Sequence, residues 1–390
     1  MFGAIYIGLS GLNAYSRGLE QVSNNVTNLN TSGFRGSTVT FQNYYGSGSQ
    51  GGLSHDTDSK GGGNGVGIGQ SRLDLSSGQL RQTGRDLDLA IDGGGFLVLM
   101  DGDKMLYART GSFEVDNKGF IVLSGTKYRL ATLDSSGRPV SLSIDQKRTS
   151  APLGSTTITF TDNLSNTAVN AVTINDMVVY DSKGGSHKWS AKFEKGTAAG
   201  EWTVKISDEK GLVATKSLKF IGSIIDPSAA KIEVEDTTNN FKVTLDFSAV
   251  QSYSSGDVSN LRASSIDGHG VGALTTVTVN ATGNLELAYS NEQKLDLGAV
   301  ALADFRDTQS LVEKDGGLFT YNGSGERMYL ASSDPRVGLV KARQLEASNV
   351  DLSKQFGDLI LIQRGFQASS QIVSVSNDMI QQLFGIRGQG

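Results

Sequence analysis

Residues 345–384 read LEASNVDLSKQFGDLILIQRGFQASSQIVSVSNDMIQQLF, and large apolar side chains recur there at intervals of seven residues. An apolar repeat of this period predicts an α-helix that presents a seam to another helix. The sequence therefore predicts a helix that resumes near Leu339, runs to about Phe384 and forms the terminal segment 341–390. The residues of the predicted seam are Leu345, Leu352, Leu359, Phe366, Val373 and Ile380, with Ile362 and Leu383 on the companion stripe.

The opening of the chain repeats with the same period. Residues 1–30 are predicted to form one helix, in which only Arg17 and Glu20 carry a side-chain charge. Its polar face consists of Asn, Ser and Thr, which are mediocre helix formers. A helix of this kind is marginal alone in water, so we expect it to become ordered against neighbouring helices. Its two heptad stripes are Ile5, Leu12, Leu19 and Val26, and Gly8, Tyr15, Val22 and Leu29.

The middle of the chain has the composition of turn-dense β structure. The 390 residues include 49 glycines and only 4 prolines, and short β-branched and aromatic runs alternate with turn signals. In residues 86–92, DLDLAID, apolar and acidic side chains alternate. This alternation predicts a strand with its leucines and isoleucine inward and its aspartates outward.

These patterns together predict an α+β fold that is mainly β. We expect the N- and C-terminal helices to pair as a coiled coil, with two β-rich domains between them and the outer domain inserted in the inner one. The glycine-rich linking segment should be extended and poorly packed without neighbours. The predicted ranges are 1–30 (N-terminal helix of an inner tube domain), 31–72 (linking segment), 73–145 (inner β domain, first part), 146–284 (outer β domain), 285–340 (inner β domain, second part) and 341–390 (C-terminal helix of the tube domain).

Composition and motifs argue against several classes of function. The net charge is −5 without a run of Lys or Arg, so no nucleic-acid partner is expected. Cysteine is absent, which excludes disulfides, thiolate nucleophiles and cysteine metal sites. GxSxG, GxxxxGK[ST] and HExxH motifs are absent too. We therefore predict no enzyme activity, no catalytic or metal-binding residues and no cofactor.

Membrane insertion and general secretion are not predicted either. No segment approaches the roughly 20 apolar residues of a membrane span. The first charge after the amino terminus is Arg17, so the basic region of a signal peptide is missing. If the protein acts outside the cell, we expect export without a cleaved signal peptide.

The two ends carry the most specific motifs. Residues 23–36, SNNVTNLNTSGFRG, resemble the N-terminal signature of the flagellar rod and hook axial protein family, and residues 347–353, ASNVDLS, with 363–367, QRGFQ, resemble its C-terminal signature. From these motifs and the heptads we predict residues for subunit assembly. They are Ile5, Leu12, Leu19, Val22, Asn24, Asn25, Val26, Asn28, Leu29, Asn30, Gly33, Phe34, Asn349, Leu352, Leu359, Ile362, Gln363, Arg364, Phe366, Val373, Ile380 and Leu383.

The middle resembles the hook members of that family. The matching stretches are AIDGGGF at 90–96, SSIDGHGVGAL at 264–274, YSN at 289–291 and LGAVALADF at 297–305. Gly365 departs from the family pattern, in which a larger residue is more usual, and we expect looser helix packing there.

The resemblance implies a structural role outside the cell. Family members of the hook type polymerise into a hollow, curved hook, a flexible universal joint that passes torque from rod to filament. The implied partners are further copies of the chain, the distal rod protein, the hook cap, the hook–filament junction proteins and the flagellar type III export apparatus. Phe41 and Tyr45, in FQNYY at 41–45, are possible elements of the export signal.

Two other functions remain open at this point. A distal rod subunit of the flagellar basal body would have the same ends but a straight, rigid role. A secreted β-rich adhesin would use its terminal helices only to dimerise, and could present Trp189, Tyr180 and Trp202 as a sugar platform.

Overall fold

The computed structural model describes residues 2–43, 65–69, 71–237 and 239–387. Most elements are β-strands, and one long helix lies near each end of the chain. This arrangement confirms the predicted mainly-β class with terminal helices. Within the described ranges, no helix is both long and apolar enough to cross a lipid bilayer.

Helix α1 spans Phe2–Thr27, helix α2 spans Leu352–Arg387, and two short 3-10 helices span Asp145–Lys147 and Thr308–Ser310. The strands in chain order are β1 (Ser37–Thr38), β2 (Phe41–Asn43), β3 (Val66–Ile68), β4 (Arg72–Leu73), β5 (Leu80–Gln82), β6 (Asp88–Asp92), β7 (Phe96–Asp101), β8 (Lys104–Ala108), β9 (Thr110–Val115), β10 (Ile121–Leu123), β11 (Arg129–Leu133), β12 (Pro139–Ser141), β13 (Thr149–Ser150), β14 (Thr157–Asn163), β15 (Val172–Tyr180), β16 (Ser186–Lys195), β17 (Glu201–Asp208), β18 (Gly211–Ile221), β19 (Ile224–Ile225), β20 (Lys231–Asp236), β21 (Phe241–Gln251), β22 (Arg262–Ile266), β23 (Gly272–Val279), β24 (Asn284–Tyr289), β25 (Lys294–Ala299), β26 (Ala301–Phe305), β27 (Leu311–Lys314), β28 (Leu318–Tyr321), β29 (Arg327–Ala331), β30 (Leu339–Ala342) and β31 (Gln344–Glu346).

The C-terminal helix begins later than the heptad pattern predicts. The stretch from Leu339 forms β30 and β31, which pair antiparallel with β6 and β5, so Leu345 lies opposite Arg81 in a strand pair and not on a helix seam. The carboxylate of Asp351 accepts hydrogen bonds from the backbone N–H groups of Ser353 (2.8 Å) and Lys354 (3.2 Å). Such a cap satisfies the free donors of a first turn and so fixes where α2 begins.

The described parts of the linking segment form short strand pairs within the chain, while its glycine runs at 46–52 and 61–63 lie outside the described residues. Strand β1 pairs with β4 and β2 pairs with β3, both antiparallel. The backbone N–H of Val66 donates a 3.2 Å hydrogen bond to Ser10 Oγ on α1. Strand pairing and contact with α1 thus satisfy backbone groups that an isolated glycine-rich segment would leave to water. Tyr45 lies outside the described residues.

The chain divides into two compact units. The first comprises Met1–Asp145, Val277–Glu286 and Asp296–Gly390, and the second comprises Gln146–Thr276 and Leu287–Leu295. The second unit is discontinuous in sequence. Its range differs from the predicted 146–284, because residues 277–284 belong to the first unit and residues 287–295 to the second.

The first unit contains a sheet of 12 strands with the central order β27-β28-β8-β7-β11-β10-β9-β6-β30. Its core surrounds β6 and β7, where Leu89, Ile91 and Leu97 are buried. Asp88 is only 2% exposed, so the prediction that this aspartate faces outward is wrong. Both faces of β6 are covered, and the nearest cation is Arg85, whose Nε lies 3.8 Å from Asp88 Oδ1.

The second unit is built on a sheet of 9 strands in the order β15-β16-β17-β18-β19-β21-β14-β22, with β20 paired to β21. Its core contains Trp189, which is 1% exposed, and Trp202, which is 2% exposed. These two rings pack inside the unit and cannot form the sugar platform that the adhesin interpretation needs. A four-stranded sheet has the order β13-β23-β24-β25.

A repeated turn closes several hairpins. In the β11–β12 turn, Asp134 Oδ1 accepts hydrogen bonds from the backbone N–H groups of Ser136 and Arg138, both 2.8 Å long. Gly137 has a φ of 73°, which glycine adopts without strain. The hydrogen bonds, that of the Arg138 backbone above all, hold the pKa of Asp134 below its usual value. The β23–β24 turn has the same geometry, with Asn280 in place of the aspartate.

Candidate functional site

Helices α1 and α2 pack against each other in antiparallel directions. A Cβ placed on Gly8 would lie 2.7 Å from Val373 Cγ2, and one placed on Gly18 would lie 3.2 Å from Ile362 Cδ1. Residues later in α1 therefore contact residues earlier in α2. Because α1 presents glycine at these contacts, α2 side chains lie directly on its backbone.

Tyr15 is the large side chain of this seam, and it lies over Gly365. A Cβ placed on Gly365 would lie 2.8 Å from Tyr15 Cε2 and closer still to Cζ. The Tyr15 ring also contacts that of Phe41, with 5.4 Å between centroids. The expectation of loose packing at Gly365 is therefore wrong, since the absent side chain makes room for the ring.

The predicted stripe of Ile5, Leu12, Leu19 and Val26 does not form the seam. Leu19 is 40% exposed, and the other three are half-buried. The other predicted stripe fits the structure better, since Gly8 and Tyr15 contact α2 and Val22 is buried. The first stripe was ranked by apolar character, whereas close helix approach favours small residues. The buried residues of α1 are Gly8, Gly11, Ala14, Gly18, Val22 and Asn25, and Leu29 beyond its end is half-buried.

The seam of α2 has the predicted period but a different phase. Its buried residues, Gln355, Ile362, Ser369 and Ser376, lie seven apart. Only Ile362 among them was predicted. Of the predicted stripe, Leu359, Val373 and Ile380 are half-buried and Leu352 and Phe366 are exposed, while the side chain of Leu383 lies outside the described part.

Large apolar side chains remain exposed on a face of α2 that lies about 100° around the helix from the seam. Leu361, for example, is 69% exposed. Monomeric proteins rarely leave a continuous apolar strip of this length open to water, and such strips usually mark contact surfaces. At 100° per residue, one set falls on a single face, which we call the outer stripe of α2. It consists of Leu361, Ala368, Ile372, Val375 and Met379.

Asn25 ties three elements together at the base of the helix pair. Its Oδ1 accepts a 3.1 Å hydrogen bond from the backbone N–H of Ser37. Its Nδ2 donates to the Ser37 carbonyl oxygen at 2.8 Å and to Gln355 Oε1 at 3.0 Å. Gln21 Nε2 also bonds Ser37 Oγ. Because the Asn25 side chain is buried, these partners are what offsets its desolvation.

Five other predicted assembly residues are not brought together within the chain. Asn28 Nδ2 donates a 2.9 Å hydrogen bond to the carbonyl oxygen of Asn24, which only links neighbouring turns. Asn24 and Asn30 are exposed, as are Gln363 and Arg364 on α2. Their side chains point to solvent and do not contribute to the seam.

The remaining predicted residues meet where the two ends of the chain join. Gly33, with a φ of 74°, donates its backbone N–H to the Glu346 carbonyl oxygen at 2.8 Å. The Phe34 carbonyl oxygen accepts from the Asn349 N–H at 3.4 Å. Asn349 Oδ1 accepts from the backbone N–H of Gly36 at 2.8 Å. The two signatures thus form one structural junction.

A buried ionic cluster that the sequence reasoning missed stabilises this junction. Arg35 Nη2 lies 2.7 Å from Glu346 Oε1, and Arg109 Nε lies 3.3 Å from Glu346 Oε2. Burial lowers the pKa of the Arg109 guanidinium, although the Glu346 carboxylate acts in the opposite direction. The only signal in the sequence was an arginine set among small and apolar residues in the N-terminal motif.

Comparison with known families identifies both ends of the chain. Residues 5–35 match the family described as "Flagella basal body rod protein". Residues 342–386 match "Flagellar basal body rod FlgEFG protein C-terminal". These ranges contain most of α1 and α2, and they include both Arg35 and Glu346.

Curated relatives extend the similarity over nearly the whole chain. "Flagellar hook protein FlgE" of Salmonella typhimurium is 28% identical over 97% of this chain and 98% of its own length. The Escherichia coli protein of the same name is also 28% identical over 97% of this chain and 98% of its own length. That of Borreliella burgdorferi is 26% identical over 99% of this chain and 100% of its own length. The crystal structure of Helicobacter pylori flagellar hook protein FlgE2 aligns with 68% of this chain and 99% of its own at a TM-score of 0.47 and 12% identity.

The terminal family matches and the relatives that cover almost the full length agree with the junction that the two ends build. The chain belongs to the flagellar hook protein family.

Proposed function

We propose that this hook subunit polymerises through its terminal helices. In this proposal α1 and α2 pair as a coiled coil, and the pairs of many copies lie side by side as the wall of a hollow tube. The outer stripe of α2 is the observation that carries the proposal, because burying its apolar side chains against another copy removes them from water. Contacts of this head-to-tail kind that do not close into a ring produce a helical filament.

The β-rich units would form the layers outside this wall. The second unit would be the outer domain, inserted in the inner one, and would allow copies to shift as the tube bends. The tube would then act as a curved universal joint that passes torque from rod to filament. The role proposed is structural and not catalytic.

The family supports proposals for location and partners as well. The chain would act outside the cell as part of the flagellum, after export by the flagellar type III apparatus without a cleaved signal peptide. Its neighbours would be further copies, the distal rod protein, the hook cap and the hook–filament junction proteins. The exposed Asn24, Asn30, Gln363 and Arg364 and the half-buried Asn28 are proposed contacts with neighbouring copies.

The test is electron microscopy of the purified full-length chain after salting-out, with two matched variants. Val375→Glu places a charge on the outer stripe of α2 and should prevent or strongly reduce tube formation. Ser374→Glu adds the same charge one residue earlier, about 100° around the helix, and should leave tubes intact. Both variants should show the thermal unfolding of the β-rich units seen in the wild type.

Curved hollow tubes from the wild type and from Ser374→Glu, but not from Val375→Glu, would support the proposal. Straight tubes would favour the distal rod. Equal tube formation by both variants would show that the outer stripe of α2 is not an assembly surface.

A further inference from the structure

The glycines of the seam do not by themselves fix how α1 and α2 align along their axes. A helix with a seven-residue pattern can pair with its partner in registers that differ by one heptad. Gly8, Gly11 and Gly18 present only backbone to α2, so each can accommodate different side chains in turn. Some other contact must therefore select the observed alignment.

Tyr15 makes a contact that discriminates between registers. Its ring occupies the volume that a Cβ on Gly365 would fill. One heptad away in either direction, the corresponding positions of α2 are Asp358 and Ile372, both of which carry side chains. A shift by seven residues would therefore drive the ring into a side chain.

We propose that Tyr15 and Gly365 form a register lock, a large-and-small pair that admits α2 in one alignment only. The partner that satisfies it is an α2 with glycine at this position, from the same chain or from a second copy. A helix with any side chain there is rejected, which is specificity through a built-in clash.

A second contact reinforces the same alignment. The hydrogen bond between Asn25 Nδ2 and Gln355 Oε1 is buried. A shift by one heptad would place Ile362 where Gln355 stands and would leave the buried amide of Asn25 without this partner. The packing contact and the polar contact, at separate points of the seam, therefore select the same register.

Two glycine-to-alanine variants of the full-length chain test the lock directly. Gly357 lies in the same helix with no atom near enough to contact an added Cβ, so Gly357→Ala should only raise helix stability. Gly365→Ala has the same gain in helix propensity, but its added Cβ would clash with the Tyr15 ring. We expect the helical signal in circular dichroism to melt at a higher temperature in Gly357→Ala and at a lower one in Gly365→Ala.

Adding Tyr15→Ala completes a double-mutant cycle. In the Tyr15→Ala background, Gly365→Ala should become neutral or stabilising, as Gly357→Ala is in the wild type. Equal stabilisation by both glycine substitutions with Tyr15 present would overturn the proposal, as would an effect of Gly365→Ala that Tyr15→Ala does not change. These readouts concern the helix pair alone, so they stand apart from whether tubes form.

Engineered cysteines can report the register itself, because the chain has no cysteine of its own. An ideal Cβ on Gly11 lies 3.3 Å from Ser369 Cβ, close to the separation in a disulfide. Gly11→Cys with Ser369→Cys should therefore cross-link on oxidation. Gly11→Cys with Ser376→Cys, one heptad away, should cross-link far less, and Tyr15→Ala should raise its yield although the Asn25–Gln355 hydrogen bond still favours the observed register. Equal cross-linking of both pairs with Tyr15 intact would contradict the lock.

Discussion

The carboxylate of Glu346 is the residue on which the junction between the two ends depends. It bonds the guanidinium groups of Arg35 and Arg109, and its Oε1 also accepts a 2.7 Å hydrogen bond from the backbone N–H of Gly78. All three charged side chains are buried. A buried charge without its partner costs far more than an exposed one, because water cannot replace the partner.

Glu346→Gln should therefore be strongly destabilising. The substitution keeps the size of the side chain but leaves two buried guanidinium groups without a countercharge. We expect the free energy of unfolding of the first unit to fall by about 3–5 kcal/mol, measured by urea denaturation.

An exposed ion pair provides the control for this prediction. Arg343 Nε donates a 2.6 Å hydrogen bond to Asp86 Oδ1, and both side chains are substantially exposed. Asp86→Asn should cost less than about 1 kcal/mol. If the two variants lost similar stability, burial would not be what makes the Glu346 cluster important.

At the scale of elements, the hairpin turns predict an effect of pH. Backbone N–H groups hold the pKa of Asp134 below its usual value, so the ionised form favours the folded state. This contribution is present at neutral pH, above the unfolded-state pKa, and is lost as the pH falls through the folded-state pKa. Asp134→Asn cannot titrate, so the melting temperatures of wild type and variant should converge as the pH is lowered.

The β23–β24 turn offers the reverse substitution. Asn280 makes the same backbone hydrogen bonds without a charge, so Asn280→Asp should introduce an acid dependence that the wild-type turn lacks. The effects should be modest, because Asp134 is exposed and water screens its interactions. Melting temperatures that keep a constant difference from wild type across the acid range would contradict this account.

For the two helices, the sequence predicted some features correctly and others not. The heptads predicted two helical ends that pair and offered two stripes on α1, of which only that of Gly8, Tyr15 and Val22 faces α2. Glycine carries no hydrophobic signal, so Gly11 and Gly18 were not predicted at all, and Gly8 was left out of the predicted assembly residues in favour of Leu12 and Leu19. A search for apolar residues finds surfaces that gain stability when a partner buries them. The seam between α1 and α2 instead depends on where their two backbones can approach closely.

The missed start of α2 has a different cause. Leu345 continues the heptad of Leu352 and Leu359, so periodicity extended the helix backwards into a strand. The cap at Asp351 was visible in the sequence, but the pairing of β31 with β5 depends on chain that is distant in sequence. The cluster of Arg35, Arg109 and Glu346 was out of reach for the same reason, since it joins residues more than two hundred positions apart.

At the scale of the whole molecule, assembly and folding should be separable. A chain without residues 1–27 and 352–390 loses both helices but keeps Arg35, Glu346 and β31. We expect it to remain folded, monomeric and unable to form tubes, as measured by thermal unfolding, size-exclusion chromatography and electron microscopy.

The position of the cut is itself part of this prediction. Removal of residues 345–390 also takes Glu346 and most of β31, so it should lower the melting temperature of the first unit as well as abolish tubes. Tubes formed by the chain without residues 1–27 and 352–390 would mean that the helices are dispensable for assembly.

The antiparallel seam also decides where a label can be attached. Because Gly8 faces Val373, the start of α1 and the end of α2 lie at the same tip of the helix pair. A fluorescent protein fused to either terminus would occupy the space around the same tip. If a fusion at one terminus disrupts assembly, moving it to the other terminus should disrupt assembly as well. The exposed hairpin loop at Glu209 and Lys210, between β17 and β18, is a better insertion point for following hook growth in living cells.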